Sequence, residues 1–126
     1  MKLRAVENDL YTSGRLKMAG ALADNTIVGI VELYNYDPIN KHAAVGVIVD
    51  SAHRRKGHGE AMVNAMVDFC RDNLSVHHLY CDIIDTNTVS RHLFERCGFR
   101  ESGHFADWVI VDDQYHATTR MSLIVE

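Results

Sequence analysis

Apolar and polar residues alternate in several segments of the first fifty residues, which predicts a series of β-strands. The predicted strands are residues 3–7, 15–22, 26–36 and 43–49. Asp24-Asn25 is a good hairpin turn, and Pro38 ends the third strand because proline cannot donate to a β-ladder. The last three strands should form an antiparallel meander. The nearly continuous apolar run in 43–49 indicates a central strand buried on both sides.

The spacing of apolar residues becomes helical from residue 57 to about residue 72. A single apolar stripe of the predicted helix contains Met62, Met66, Phe69 and Cys70. A strand at 77–84 follows, and this strand–helix–strand order implies a right-handed crossover with parallel pairing. A second helix should begin after the capping oxygens of 85–87 and end before Gly98. Its predicted apolar face contains Val89, Leu93, Phe94 and Cys97.

Two further strands, at 101–111 and 115–125, are predicted around a turn at 112–114. The pattern therefore predicts a mixed α/β (α+β) fold. Its sheet is mostly antiparallel, with a central parallel strand–helix–strand unit and two main helices. The length of 126 residues favours a single domain spanning 1–126.

Charge and composition exclude several classes of function. The net charge of −4 disfavours a nucleic-acid partner that binds by bulk electrostatics. The three cysteines have no CxxC spacing, so we expect reduced core thiols, and the histidines show no metal-ligand spacing. No apolar run is long enough to span a membrane, and no signal peptide is recognisable. A cytoplasmic protein with no membrane partner and no metal is the expectation.

One basic loop stands out against this acidic background. Arg54, Arg55 and Lys56 lie between the strand that ends at residue 49 and the predicted helix. Gly57 and Gly59 follow one residue apart. Backbone N–H groups in such a turn, together with the dipole of the following helix, can hold an anion. A solvated basic loop that caps a helix would explain the same residues.

Two motifs, taken together, resemble the GNAT N-acetyltransferase superfamily. The first is Arg54-x-x-Gly57-x-Gly59. The second is Asp85-Thr86-Asn87 followed by Leu93-Phe94-Glu95-Arg96-Cys97-Gly98-Phe99. Residues 1–10 and 29–33 are similar to the branch that contains spermidine/spermine and ribosomal-protein N-terminal acetyltransferases, and residues 113–123 are similar to the spermidine enzymes in particular. The resemblance covers nearly the whole chain.

The resemblance implies acetyl-CoA as the acetyl donor and direct attack of an amine on its thioester. The strand before the loop would pair with the pantetheine arm, and the N–H of Val47 or Ile48 would stabilise the oxyanion. Asn87 resembles the family's cofactor-contacting asparagine, although a simple helix cap explains it equally well. The residues expected to bind the cofactor are Val47, Ile48, Val49, Arg54, Arg55, Lys56, Gly57, His58, Gly59, Glu60, Asn87 and Phe94.

Both of the family's usual acid–base helpers are missing. Phe94 replaces the tyrosine of the second motif, and Ala44 stands where many relatives carry a glutamate. The remaining candidates for the base are Glu32, Asp82, His116 or a chain of waters, with Glu32 favoured. Tyr80 or Tyr115 could serve as the acid. A solvated strand glutamate and tyrosines used for packing are the competing interpretations.

The chain also departs from the family after its first strand. The family branch places two helices there, as one wall of the acceptor site, whereas only residues 8–14 separate the first two predicted strands. The acceptor could be a small polyamine-like amine or a peptide N-terminus, and a homodimer could complete the site. The competing hypothesis is a non-catalytic CoA-binding or regulatory module.

Overall fold

The predicted meander and parallel unit belong to one mixed sheet in the computed structural model, which describes residues 1–125. Within these residues the strands are β1 Lys2–Asp9, β2 Arg15–Ala21, β3 Ile27–Asp37, β4 His42–Val49, β5 His78–Ile84, β6 Arg100–Val111 and β7 Gln114–Ile124. The helices are α1 His58–Phe69 and α2 Thr88–Arg96. The strand order is β1-β2-β3-β4-β5-β7-β6, and only β4 and β5 are parallel. The mixed α/β fold is confirmed.

Helix α1 begins directly after Gly57, at the end of the basic loop, and buries the predicted apolar stripe. Met62, Val63 and Met66 are inaccessible to solvent in the core. The helix continues into a π-helical turn, Cys70–Leu74, before Ser75 ends it in a left-handed conformation. The helical segment predicted for 57–72 is therefore confirmed, with a wider final turn.

Two glycines allow α1 to lie close to the sheet. A Cβ on Gly20 would come 2.5 Å from the sulfur of Met62, and one on Gly29 would overlap the Ile48 carbonyl oxygen of β4 and come 2.8 Å from the methyl carbon of Met62. Real Cβ atoms do not approach heavy atoms this closely, because packed atoms repel steeply at such distances. Gly20 and Gly29 thus leave space for the Met62 side chain of α1, and Gly29 also allows close approach of the β4 backbone.

Helix α2 is capped by Asn87, whose side chain accepts a hydrogen bond from the Ser90 amide at 3.2 Å. Phe94 is buried and packs edge-on against Phe99, with ring centroids 5.1 Å apart. The predicted apolar face was wrong at Val89, which is 77% exposed. Val89 lies in the first turn, and only the later part of this short helix reaches the core.

Both helices lie on the same face of the sheet. Cross-strand partners share a face, and neighbours along a strand alternate between faces. Leu33, Val45 and Leu79 share the face that packs against α1 and α2 in one core. The opposite face carries Glu32, Tyr34, Ala44, Tyr80 and Arg120, and no helix among residues 1–125 covers it. We call it the open face.

The short β1–β2 connection explains why this face is open. The Ser13 amide donates to the Asp9 carbonyl at 2.9 Å, and Gly14 adopts a φ of 75°. The two strands are therefore joined by a tight hairpin, which leaves no room for the helices that the family branch places there.

The three thiols are free, and Cys70 and Cys81 are buried. Burial raises the pKa of the Cys70 and Cys81 thiols to about 12, and that of Cys97 to about 11. All three therefore remain protonated at neutral pH. None of the helices in residues 1–125 has the length and apolarity needed to cross a bilayer.

Candidate functional site

Strands β4 and β5 separate soon after they meet. Their parallel pairing joins residues 42–44 to residues 78–80 and goes no further. Residues 45–49 of β4 then pair with β3 alone. The prediction that β4 is buried on both sides is therefore wrong in its second half, where Ile48 is 70% exposed. We call this unpaired side of residues 45–49 the open edge.

The phase of the β3–β4 ladder decides which backbone groups reach the open edge. The Asp50 amide donates to the Val28 carbonyl at 2.8 Å, just past the registered pairs. Hydrogen-bonded positions alternate along an antiparallel ladder, so Ile48 and Gly46 direct their backbone groups towards β3. Val45, Val47 and Val49 direct theirs towards the open edge. Of the two predicted oxyanion donors, only the Val47 amide has this orientation.

The basic loop, residues 51–57, begins where the open edge ends. Arg54 folds back, and its Nε donates to the Val49 carbonyl at 3.2 Å. Arg55 and Gly57 both have left-handed backbone conformations, with φ of 64° and 79°. Gly57 caps α1 without a side-chain acceptor. The first amides of α1 are therefore available to an anion, in the field of the helix dipole.

The two loop glycines have different functions. Gly57 is exposed, and a Cβ on it would have no heavy atom within 4 Å. A Cβ on buried Gly59 would come 2.7 Å from Leu93 and 3.2 Å from Val49. Gly59 is therefore required where α1, α2 and β4 meet, whereas Gly57 is required for its backbone conformation.

Some of the other predicted loop residues have solvent-exposed side chains, and others have side chains that contact the protein. Arg55 and Lys56 are exposed. His58 is half-buried, with its ring 6.2 Å from that of His53. The Glu60 carboxylate accepts from Arg96 Nε at 3.2 Å, which ties α1 to α2. Only the Glu60 amide is left for a ligand.

The side chains of the second motif, residues 85–87 and 93–99, make contacts within the protein. The side-chain oxygen of Asn87 caps α2, and the ring of Phe94 is only 4% exposed. Asp85 accepts from Thr119 at 2.7 Å and is 2.9 Å from His104, and these two hydrogen bonds lower the pKa of the carboxyl. Cofactor contacts of Asn87 and Phe94 stay predictions.

Two tyrosines flank the point where β4 and β5 separate. Tyr34 is opposite Ala44 on one side, and Tyr80 is opposite it on the other. Burial, and then the nearby charge of Asp82, raise the pKa of the Tyr34 phenol. Our sequence reasoning missed Tyr34. The available signal was its position two residues after Glu32, on the same face of the strand.

A groove of about 430 Å³ lies on the open face beside the open edge. Its lining residues are Arg15, Lys17, Ile30, Glu32, Tyr34, Gly46, Val47 and Ile48. Glu32 is directly opposite Gly46 in the β3–β4 ladder. The structure thus brings one predicted base, Glu32, close to the predicted oxyanion donor, Val47.

The other predicted acids and bases, namely Tyr80, Asp82, Tyr115 and His116, do not line the groove. Arg120 donates two hydrogen bonds to Asp82, at 2.8 and 2.9 Å, and its guanidinium carbon stacks 4.2 Å from the Tyr80 ring centroid. A carboxylate held in this way is a poor base. Tyr115 and His116 lie on the part of β7 beyond its pairing with β5, and neither lines the groove. Residues 1–125 contain no group of three or more potential metal ligands.

Comparison with known proteins identifies relatives of this architecture. A model of the acetyltransferase (GNAT) family matches residues 3–99. A spermidine N(1)-acetyltransferase of Vibrio cholerae is 28% identical over 102 residues, which cover 81% of this chain and 59% of that protein. A putative ribosomal N-acetyltransferase of Bacillus subtilis is 27% identical over 106 residues, covering 84% and 58%. The chain thus spans about three fifths of the length of either relative.

A solved structure shares the fold. The spermidine N-acetyltransferase from Vibrio cholerae in complex with CoA and spermine superimposes with a TM-score of 0.84 at 26% identity. The match covers 88% of this chain and 66% of that chain.

We predict that Gly57→Glu abolishes CoA binding. The new carboxylate would stand at the start of α1, where it repels a pyrophosphate and occupies the space in front of the free amides. CoA should raise the melting temperature of the wild-type protein by mass action and leave that of the variant unchanged.

The matched control for this experiment is Gly57→Asn. Asparagine is neutral and tolerates a positive φ, so this variant should retain most of the CoA-induced shift. An equal shift for Gly57→Glu and wild type would show that the loop does not bind the pyrophosphate.

Proposed function

Because this chain belongs to the acetyltransferase (GNAT) family, we propose that it transfers the acetyl group of acetyl-CoA to a primary amine. The acceptor class is a small polyamine-like amine or a peptide N-terminus. The observation that carries the proposal is the convergence of three features at one place: the open edge of β4, the basic loop and the groove.

The chain's backbone binds the donor in this proposal. The free N–H and C=O of Val47 and the free N–H of Val49 pair with the amides of the pantetheine arm, and the first amides of α1 hold the pyrophosphate. Arg55 and Lys56 supply positive charge beside it. The Val47 N–H donates to the thioester oxygen as negative charge develops there.

Glu32 receives the proton of the acceptor amine. Alkyl ammonium groups have pKa values of about 10, so a base must remove a proton before the nitrogen can attack. Glu32 lines the groove opposite Gly46, next to the Val47 amide. A water between amine and carboxylate can carry the proton over the remaining distance.

Tyr34 protonates the departing thiolate. The amine nitrogen bonds to the carbonyl carbon, the carbon–sulfur bond breaks, and the electron pair leaves on sulfur. Because burial raises the pKa of its phenol, Tyr34 holds its proton throughout the neutral range. The nitrogen loses its second proton to water as the carbon–sulfur bond breaks. The products are the acetylated amine and CoA with a free thiol. Water then returns a proton to Tyr34 and takes up the proton from Glu32.

We place this reaction in the cytoplasm. Three free thiols without a disulfide among residues 1–125 fit a reducing compartment.

We predict that the protein releases CoA from acetyl-CoA in the presence of a primary amine, and that Tyr34→Phe lowers kcat. Loss of a general acid typically costs about 10²-fold or more. CoA release can be followed with a thiol-specific chromogenic reagent, with melting curves run in parallel to confirm folding. Tyr115→Phe is the matched control, because Tyr115 lies on the hairpin away from the groove and should keep full activity.

Two outcomes would contradict the proposal. If acetyl-CoA binds but no amine leads to release of CoA, the result would instead support the non-catalytic CoA-binding module. The lack of acid–base side chains at Ala44 and Phe94 favours that alternative. Unchanged kcat in Tyr34→Phe would remove Tyr34 from the mechanism and leave the transfer itself intact.

Self-association is the second part of the proposal. The β6–β7 hairpin extends beyond β5 and exposes large apolar side chains, namely Trp108, Ile110, Val111 and Tyr115. Trp108 is 60% exposed, and its ring centroid lies 4.9 Å from that of Phe105. Exposed apolar patches of this kind are typical of protein interfaces. A second copy of this chain is the proposed occupant, giving a homodimer.

We predict that Trp108→Lys shifts the protein to the monomer, as measured by size-exclusion chromatography with light scattering. A lysine removes apolar contact area and adds charge repulsion between copies. Ile39→Lys is the control, since Ile39 is an even more exposed apolar residue that lies in the β3–β4 turn, away from the hairpin. A wild-type protein that stays monomeric up to high concentration would refute the interface.

A further inference from the structure

The wall of the groove that lies across from Val47 carries two cationic side chains. Arg15 and Lys17 stand two residues apart on β2, on the same face as Glu32. Lys17 is directly opposite Glu32, and Glu32 is directly opposite Gly46. Lys17 on β2, Glu32 on β3 and Gly46 on β4 therefore form one row across the three strands. Strand β4 is the one that would bind the thioester.

Neither cation is held by an ion pair in the part of the chain that the structure describes. No carboxylate oxygen of residues 1–125 lies within 4.0 Å of the charged nitrogens of Arg15 or Lys17. Glu7 is opposite Lys17 and Asp9 is opposite Arg15, but both stand on edge strand β1, on the side away from β4. Neither Glu7 nor Asp9 lines the groove.

Arg120 on the same face shows the contrast. Asp82 fixes its guanidinium through two hydrogen bonds. Arg15 and Lys17 have no such partner, so their charges remain available to a ligand in the groove.

We propose that the acceptor is a primary amine that also carries an anionic group, a carboxylate or a phosphate. This inference rests on the proposed acetyl transfer to a primary amine, and it replaces the polyamine-like acceptor of the proposed function with an amine that has an anionic far end. The amine end lies beside Glu32 and Val47, and the anionic end is bound by Lys17 and Arg15. Guanidinium groups bind carboxylate and phosphate through two parallel hydrogen bonds, which favours an anion at this position.

The spacing of the strands sets the length of such an acceptor. Neighbouring strands are about 4.8 Å apart, so β2 is roughly 10 Å from β4. Long, flexible Lys and Arg side chains shorten that distance, so a chain of a few carbon atoms between amine and anion is long enough. A polyamine of the same length would place its second ammonium beside two cations, where like charges repel.

Three probes of equal length isolate the charge of the far end. 4-Aminobutyrate ends in a carboxylate, 4-aminobutyramide in a neutral amide, and 1,4-diaminobutane in an ammonium. We expect kcat/KM for 4-aminobutyrate to exceed that for each of the others by at least about tenfold, since hydrogen bonds to charged groups are the stronger ones. This preference should decrease as salt concentration rises, because the groove is open to solvent.

The double variant Arg15→Gln/Lys17→Gln should lose this preference. Its KM for 4-aminobutyrate should rise about tenfold while kinetics with 4-aminobutyramide stay unchanged, because only the anionic end has lost its partners. The control Lys2→Gln/Arg100→Gln removes two positive charges from exposed strand positions outside the groove and should keep the wild-type preference.

The outcomes separate the substrate class from the activity. If 1,4-diaminobutane is acetylated as efficiently as 4-aminobutyrate, or more so, the anionic acceptor is refuted and acetyl transfer stands. If none of the three amines releases CoA from bound acetyl-CoA, acetyl transfer fails and this inference fails with it. If the double variant does not fold, the order of kcat/KM values of the wild-type protein for the three amines, and the salt dependence of that order, still test the inference.

Discussion

The early separation of β4 from β5 is the constraint on which the candidate site depends. Parallel pairing ends after residue 44, although β4 continues to residue 49 and β5 to residue 84. Backbone N–H and C=O groups need hydrogen-bond partners, and both groups of Val47 and the N–H of Val49 have no strand beside them. They are available to a ligand that is itself rich in amides. The loop and the two flanking tyrosines lie next to this gap, and the groove lies beside it on the open face.

Small residues place the rest of the site around the gap. Gly20 and Gly29 let α1 settle on the meander, and Gly59 lets its first turn approach both β4 and α2. The free amides of α1 are thereby brought to the end of the open edge. Packing and binding are thus coupled in this region, because Gly59, which is buried in the core, also affects the position of the anion-binding amides.

Local sequence patterns predicted most of the fold. The strands, the helical stripe through Met62 and Met66, and the parallel unit all followed from periodicity, and the loop was located by its glycines and charges. Long-range geometry was not predictable. The point where β4 and β5 part, the pairing of Asp82 with Arg120, and the meeting of Lys17 with Glu32 depend on register between strands distant in sequence. No sequence pattern distinguished Tyr34 from other strand residues, because its position beside the gap also depends on strand register.

The central claim is that the open edge of β4 and the start of α1 form one cofactor site. Nuclear magnetic resonance of the backbone amides during a CoA titration tests it most directly. Large shifts are expected for the amides of Val47, Val49 and Gly59, with a smaller effect on Ile48, whose amide pairs with β3. Shifts that leave the β4 amides unchanged, and instead cluster elsewhere on the domain, would contradict it.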